Sequence, residues 1–252
     1  MSSKLPTIPS DWFHQSFDAL YPIIYAHRTV EAAKQESLFS IQETQLQPND
    51  RVLDLCCGSG RHVAHLVNAS SHVVGLDYSP HLLEIARQSL SDKASFLRAD
   101  MRHQPFQGTF DVVMNYFTSF GYFQTEEENR QVVDNVCQAL KPDGRFFIDY
   151  MNKNHAMDNL VKETRRIVEE FEILETRWID EKKQRINKET VVLRDGKEIN
   201  RSGESVQLYT QEEFTALLSG GCLAINAMYG NYGGESVGDD QPRMIAIGKK
   251  VR

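Results

Sequence analysis

Short, largely apolar runs recur along the first 150 residues, with Gly, Pro, Asp or Asn close by in the segments between them. They fall at residues 52–55, 72–76 (HVVGL), 95–97, 110–114 (FDVVM) and 145–150 (RFFIDY). Continuous runs of this length, bounded by turn residues, read as strands buried on both faces of a sheet. Helix signals lie between them. Residues 61–67 (RHVAHLV) follow the first strand as the opening turns of a helix. Ser79-Pro80 offers an N-cap with proline at the first helical position, and the helix is predicted to run to about Leu90. Thr125-x-x-Glu128 is a capping box opening a helix through Leu140. Strands alternating with helices predict an α/β fold around a mostly parallel sheet.

After residue 150 the rhythm changes. Residues 171–180, 185–194 and 199–209 read as strands, and Asp195-Gly196 between the last two is a two-residue hairpin signal. An antiparallel insertion of about three strands is predicted. Thr210-x-x-Glu213 then opens a helix to about Leu218, stopped by Gly220-Gly221. Residues 223–229 and 243–248 form a closing antiparallel pair, and the glycine-rich loop between them is predicted to be mobile. Ahead of the first strand, residues 11–36 read as an aromatic-rich helical lead-in carrying Trp12, Phe13, Phe17, Tyr21 and Tyr25, divided at Pro22. Turns are predicted at 47–50 and at Lys141-Pro142-Asp143-Gly144. The expected organisation is a helical cap at 1–45, a core at 46–152 and 208–252, and an antiparallel β insertion at 153–207 serving as lid or dimer surface.

Composition narrows the class. The chain has 252 residues, 40% hydrophobic and 25% charged, with a formal net charge of −7. These values are ordinary for a globular protein. No apolar run approaches the length of a membrane-spanning helix, and the N-terminus lacks the apolar stretch of a signal peptide. Basic residues Lys182, Lys183, Arg185 and Lys188 stand among Asp180, Glu181 and Glu189, which reads as a solvated face rather than a nucleic-acid grip. Cys56, Cys57, Cys137 and Cys222 form no C-x-x-C pair, so the expectation is a reduced, cytoplasmic protein without a metal site.

The chemistry is carried by residues 51–60, RVLDLCCGSG. Gly58 and Gly60 allow a tight turn after the first strand, at the head of a helix, where backbone can approach a nucleotide-like ligand. The second strand ends in Asp77, nineteen residues past Gly58, placed to accept hydrogen bonds from a ribose diol. Val63 stands where a dinucleotide fingerprint has its third glycine, which weakens a nicotinamide or flavin reading.

Asp54-Leu55-Cys56-Cys57-Gly58-Ser59-Gly60 resembles the D-x-G-x-G-x-G loop of class I S-adenosylmethionine-dependent methyltransferases, with Cys56 replacing the first glycine. The turn at 141–144 is similar to the family's L-K-P-G-G. The resemblance implies a Rossmann-like seven-stranded sheet with helices on both faces, and S-adenosylmethionine as cofactor, released as S-adenosylhomocysteine. It implies cofactor contacts at Asp54, Cys56, Gly58, Gly60, Asp77, Tyr78, Asp100, Met101 and Asn115, with Tyr21, Tyr25 and Arg28 near the methionine carboxylate. The β insertion resembles that of small-molecule N-methyltransferases. The implied reaction is in-line methyl transfer to an N, O or C nucleophile, which needs alignment more than covalent chemistry. Tyr116, Tyr122, Tyr150 and His155 are candidates for orienting or deprotonating the acceptor. A small-molecule acceptor is expected, with nucleic acid and membrane disfavoured and a homodimer through the insertion open. A tRNA or protein methyltransferase, or a non-catalytic cofactor binder, are the alternatives.

Overall fold

The structure, a computed structural model, describes residues 5–251. Its spine is a seven-stranded sheet in the order β10-β11-β5-β4-β1-β2-β3. β1 (Arg51–Leu55) pairs in parallel with β2 (His72–Asp77) on one side and with β4 (Phe110–Asn115) on the other. β3 (Ala94–Arg98) and β5 (Leu140–Met151) extend the parallel part outward, and β10 (Leu223–Tyr229) and β11 (Arg243–Lys250) close it antiparallel. Apolar residues buried on both faces of β1 and β4 explain their central place: Val52, Val112, Val113 and Met114 have no exposed surface. Strand order reverses between β1 and β4, which is where an open α/β sheet leaves a crevice.

The helix signals translate residue by residue. α5 (Pro80–Leu90) starts with the Ser79 hydroxyl accepting from the Leu82 amide. α6 (Glu126–Ala139) and α8 (Gln211–Ser219) both carry complete capping boxes, from Thr125–Glu128 and Thr210–Glu213. Elsewhere the helices are shorter than the pattern suggests. The lead-in breaks into α1 (Phe13–Ser16), α2 (Tyr21–Ile24) and α3 (Lys34–Glu43), with Pro22 inside the first turn of α2. The helix after the glycine loop is the single turn α4 (Val63–Leu66), and α7 (Lys153–Asp158) follows β5. The turn expected at 141–144 lies within β5 as an irregularity of the β4–β5 pairing, with Asp143 at φ 59.

A second sheet holds β6 (Glu163–Val168), β7 (Phe171–Asp180), β8 (Arg185–Arg194) and β9 (Lys197–Gln207), all antiparallel. It therefore has four strands, not about three. β6 escaped notice because it is an edge strand: Glu163, Arg165 and Ile167 face solvent, and its polar residues leave no apolar run.

Three further expectations are corrected. Cys137 on α6 and Cys222 just before β10 are joined in a disulfide, their Cα atoms 5.8 Å apart, so the four thiols are not all reduced. The loop at 230–241 is tied down rather than loose: Asn152 Nδ2 donates to Gly238 O, Asn231 Nδ2 to Gln241 Oε1, and Tyr232 OH to Asp149. The basic run at 182–188 is only partly a solvated face. Arg185 is 3% exposed. It donates to the carbonyls of Tyr122, Phe123 and Ser205. Lys188 pairs inward with Glu204 at 2.7 Å. Both find their partners in segments far from them in sequence, which a linear charge run does not reveal.

Candidate active site

A cavity of about 180 Å³ opens at the carboxyl ends of β1, β2 and β4. Cys56, Cys57, Gly58 and Ser59 line it from the glycine loop, Asp77 and Tyr78 from the tip of β2, and Tyr116, Phe117 and Ser119 from the tip of β4. Phe13, Phe17, Tyr21, Tyr25 and Arg28 cover it from the lead-in.

The floor is held through backbone amides. Asp77 Oδ2 accepts from the Gly58 amide and Oδ1 from the Ser79 amide, both at 2.8 Å. A carboxylate offers about four lone-pair sites, so these amides do not exhaust its capacity to accept. Burial raises the Asp77 pKa, outweighing the amides of Ser79, Gly58 and Tyr78 that pull it down. Gly58 sits at φ +54 and Gly60 at φ +81. At Gly60 an added Cβ would lie 3.0 Å from Leu90 and 3.2 Å from Ala86, so that glycine lets the loop press on α5 rather than facing the cavity. Cys56 also takes a left-handed backbone, φ 65, at the place where the resembled pattern has glycine.

The wall from β4 is strained in the same sense. Phe117 (φ 57) and Thr118 (φ 61) are consecutive non-glycine residues in the left-handed region. Such a pair persists only where its surroundings fix it. Here Asp149 on β5, wholly buried, accepts from the Phe117 amide through Oδ2 and from Arg243 Nε through Oδ1, both at 2.7 Å. Arg243 also donates to Thr118 Oγ1 at 2.9 Å. The result presents the Phe117 ring to the cavity, with the Arg28 guanidinium 4.5 Å from its centroid.

Ten of the sixteen expected site residues line the cavity: Tyr21, Tyr25, Arg28, Cys56, Gly58, Asp77, Tyr78, Met101, Tyr116 and Tyr122. The other six lie outside its lining. Gly60 packs on α5. Asp100 is held by Arg102 at 2.7 Å. Tyr150 is core, its ring stacked on Phe214 and its hydroxyl on the Gln207 carbonyl. His155 sits on α7. Asp54 and Asn115 are buried directly behind the glycine loop and the β4 tip, and each keeps one side-chain oxygen without a partner. Burial and the nearby Asp77 charge push the Asp54 pKa well above the usual carboxylate range.

Phe13, Phe17, Arg61, His62 and Phe117 also line the cavity without being among the sixteen expected site residues, Phe13 and Phe17 having been read only as lead-in aromatics. His62 is 5% exposed, bonds Glu36 through Nε2 at 2.6 Å and stacks on Tyr116 with centroids 3.9 Å apart. Desolvation lowers its pKa, outweighing Glu36. The available signal was its place two residues past Gly60, where the short first turn of a helix keeps side chains near the loop.

Residues 52–144 match the family described as methyltransferase domain. A solved S-adenosylmethionine-dependent methyltransferase of Clostridium acetobutylicum superposes with TM-score 0.77 at 18% identity, covering 95% of this chain and 100% of that one. This chain has the class I methyltransferase fold. An amino pentose methyltransferase of Micromonospora echinaspora, solved with S-adenosylmethionine bound, superposes with TM-score 0.68 at 20% identity over 93% of this chain and 98% of its own. In sequence, dTDP-3-amino-3,4,6-trideoxy-α-D-glucopyranose N,N-dimethyltransferase of Streptomyces venezuelae is 29% identical over 131 residues, 52% of this chain and 55% of that protein. The chain spans about half the length of the first curated relatives it matches.

The buried polar atoms fit the cofactor this fold family uses. Asp54 Oδ2 and Asn115 Oδ1 are acceptors without donors, and Arg28 Nε is a donor without an acceptor. A zwitterionic methionine tail would offer an ammonium as donor to the first two, which lie behind the cavity lining, and a carboxylate as acceptor to the third.

Proposed function

We propose that the chain transfers a methyl group from S-adenosylmethionine to a small-molecule acceptor. The observation that carries this reading is the Gly58–Asp77 floor opening onto a cavity walled by aromatic rings. Asp77 would hold the ribose, Met101 and Leu82 would flank the base, and Asp54, Asn115 and Arg28 would hold the methionine tail. The bound cofactor supplies an electrophilic methyl on a sulfonium. The rings of Tyr21, Tyr25, Phe117 and Tyr122 then favour that cation, each ring face contributing about 0.5–2 kcal/mol.

The acceptor would enter under the roof of aromatic residues, which excludes water and aligns the reactants. His62, neutral under its lowered pKa and oriented by Glu36, is better placed than His155 to take a proton. The second sheet supports a lid reading of the insertion, because it grips the roof from behind: Tyr25 OH donates to Glu204 at 2.5 Å and Arg166 to the Ile24 carbonyl at 2.6 Å.

Calorimetric titration tests the reading. S-adenosylmethionine and S-adenosylhomocysteine are expected to bind and NAD to give no heat. Binding of NAD alone would return the glycine loop to a dehydrogenase reading.

A further inference from the structure

Two guanidinium groups line one cavity and neither meets a carboxylate. Arg28 donates to Tyr21 OH at 3.0 Å and lies 3.8 Å from the Tyr25 ring centroid, while its Nε stays buried without a partner. Arg61, the residue after Gly60, makes no hydrogen bond and no ion pair among the described residues, and lies 5.9 Å from the Phe117 centroid. Elsewhere five half-buried arginines, Arg102, Arg145, Arg166, Arg177 and Arg243, each hold a carboxylate within 2.7 Å, and the buried Arg185 has its donors taken by the carbonyls of Tyr122, Phe123 and Ser205. Burying a charge without a partner is costly, so an unmatched pair at a cavity marks a place where a ligand brings the counter-charge.

A charge count sharpens this. The lining carries Arg28 and Arg61 against Asp77, and Asp77 already receives two amides. Glu36 is bound to His62 and does not line the cavity. S-adenosylmethionine adds a sulfonium and an ammonium against a single carboxylate. That carboxylate satisfies one guanidinium, and Arg28 is the one whose orphaned Nε and fixed stacking suit a constant ligand. With Asp54 counted against the ammonium, the loaded cavity still holds an excess of one positive charge near Phe117. A cationic acceptor would add to the repulsion, whereas an anionic one removes it. Arg61 keeps all five of its donors for that partner, in the fork geometry that matches a carboxylate or phosphate.

We propose that the methyl acceptor is an anion, a small molecule bearing a carboxylate or phosphate, and that Arg61 binds that group. The proposal rests on the methyl-transfer reading above. It makes Arg61 a specificity-determining residue for the acceptor, separate from the cofactor contacts.

The test uses the whole chain saturated with S-adenosylhomocysteine. Sodium acetate and sodium phosphate are titrated calorimetrically, with ionic strength held constant by chloride. Saturable binding in the mM range is expected. Arg61→Gln should weaken it at least fivefold, keep S-adenosylhomocysteine affinity within twofold and melt as a folded protein. Arg61→Lys, which keeps the charge, should recover part of the anion binding and covers the case in which the glutamine variant does not fold. Preference for acetate or for phosphate separates the two oxyanions. Absence of saturable binding by either anion overturns the proposal. So does a tenfold loss of S-adenosylhomocysteine affinity in both Arg28→Gln and Arg61→Gln, which would mean that both groups share the methionine carboxylate. Failure of the wild-type chain to bind S-adenosylhomocysteine at the outset would instead strike the methyl-transfer reading.

Discussion

The floor and the roof of the cavity are fastened by different means. The floor joins neighbours: parallel pairing of β1 with β2 brings Gly58 to Asp77, and backbone amides do the holding. The roof joins strangers in sequence. Ser16 Oγ donates to the Gly203 carbonyl 187 positions away, Asn200 to Asp18, Tyr25 to Glu204 and Arg166 to Ile24 O. An apolar cluster of Ile24, Tyr25, Phe171, Ile173 and Val192 lies beneath these bonds. A backbone-held floor keeps its geometry whatever covers it. A roof held by side-chain pairs from a separate sheet can yield while the floor stands, as the proposed entry of an acceptor would require.

The largest expected effect is at the floor. Asp77→Ala leaves the Gly58 and Ser79 amides without their acceptor, at about 1–3 kcal/mol for each buried donor, and removes the proposed ribose contact. S-adenosylhomocysteine affinity measured by calorimetry should fall by at least tenfold, about 1.4 kcal/mol or more. Unchanged affinity would sink the assignment of this floor to the cofactor.

At the roof, Glu204→Gln should act on motion more than on cofactor. Lys188 would keep its charge beside a neutral partner. Breaking a fully buried pair costs roughly 3–5 kcal/mol; with side chains 13% and 27% exposed, screening reduces this to about 1–2 kcal/mol. Hydrogen exchange should speed up across residues 12–28 and stay unchanged at 52–58. Acid separates the two regions with opposite signs. For Glu204, burial raises the pKa, but the Lys188 charge, hydrogen bonds from Lys188 and Tyr25, and Arg28 outweigh it and hold the carboxyl below its usual range. For Glu175, burial is likewise outweighed by hydrogen bonds from Arg166 and Thr164 and by the charges of Lys188 and Arg177, which hold it at about 2 against an ordinary 4.5. Depressed carboxyl pKa values stabilise above the unfolded value, and that stability is lost as pH falls through the folded one. Asp77 and Asp54 are raised instead, so their protonation in acid favours the fold. Between pH 4.5 and 2, amide protection should therefore fall first in the roof and its supporting sheet. Equal loss in both regions would erase the distinction.

The same contrast explains what could be read from the sequence. The floor was legible because its signals are local: a buried strand, glycines at fixed spacing, and an acid at the end of the next strand. Both capping boxes and the N-cap at Ser79 were legible for that reason too. The roof was legible only as a set of aromatic residues. Nothing near Arg185 in sequence announces that it holds the carbonyls of Tyr122 and Phe123, and nothing near Cys222 announces Cys137. Asp149 showed itself as the tip of a strand, but its grip on Phe117 depends on Arg243 and Tyr232 arriving from β11 and the loop before it. Arg61 and His62 were hidden inside what reads as ordinary helix.

The smallest expected effect returns to the floor and asks whether its one irregular residue costs anything. Cys56 holds φ 65, a conformation about 1–2 kcal/mol less favourable for a residue with a Cβ than the right-handed alternative. Glycine adopts it freely but loses more entropy on folding, roughly 0.5–1 kcal/mol. The Cys56 side chain also touches Met101, Sγ to Sδ 3.7 Å, at the edge of the cavity. The backbone gain exceeds these losses by a margin of about 0.5 kcal/mol. Cys56→Gly should then raise the melting temperature by about 1–2 °C for a chain of this length and leave S-adenosylhomocysteine affinity within twofold. A lower melting temperature would mean that packing of Cys56 against Met101 outweighs the strain. The cysteine would then be part of how this floor is shaped, and the glycine of the resembled pattern would be the poorer residue here.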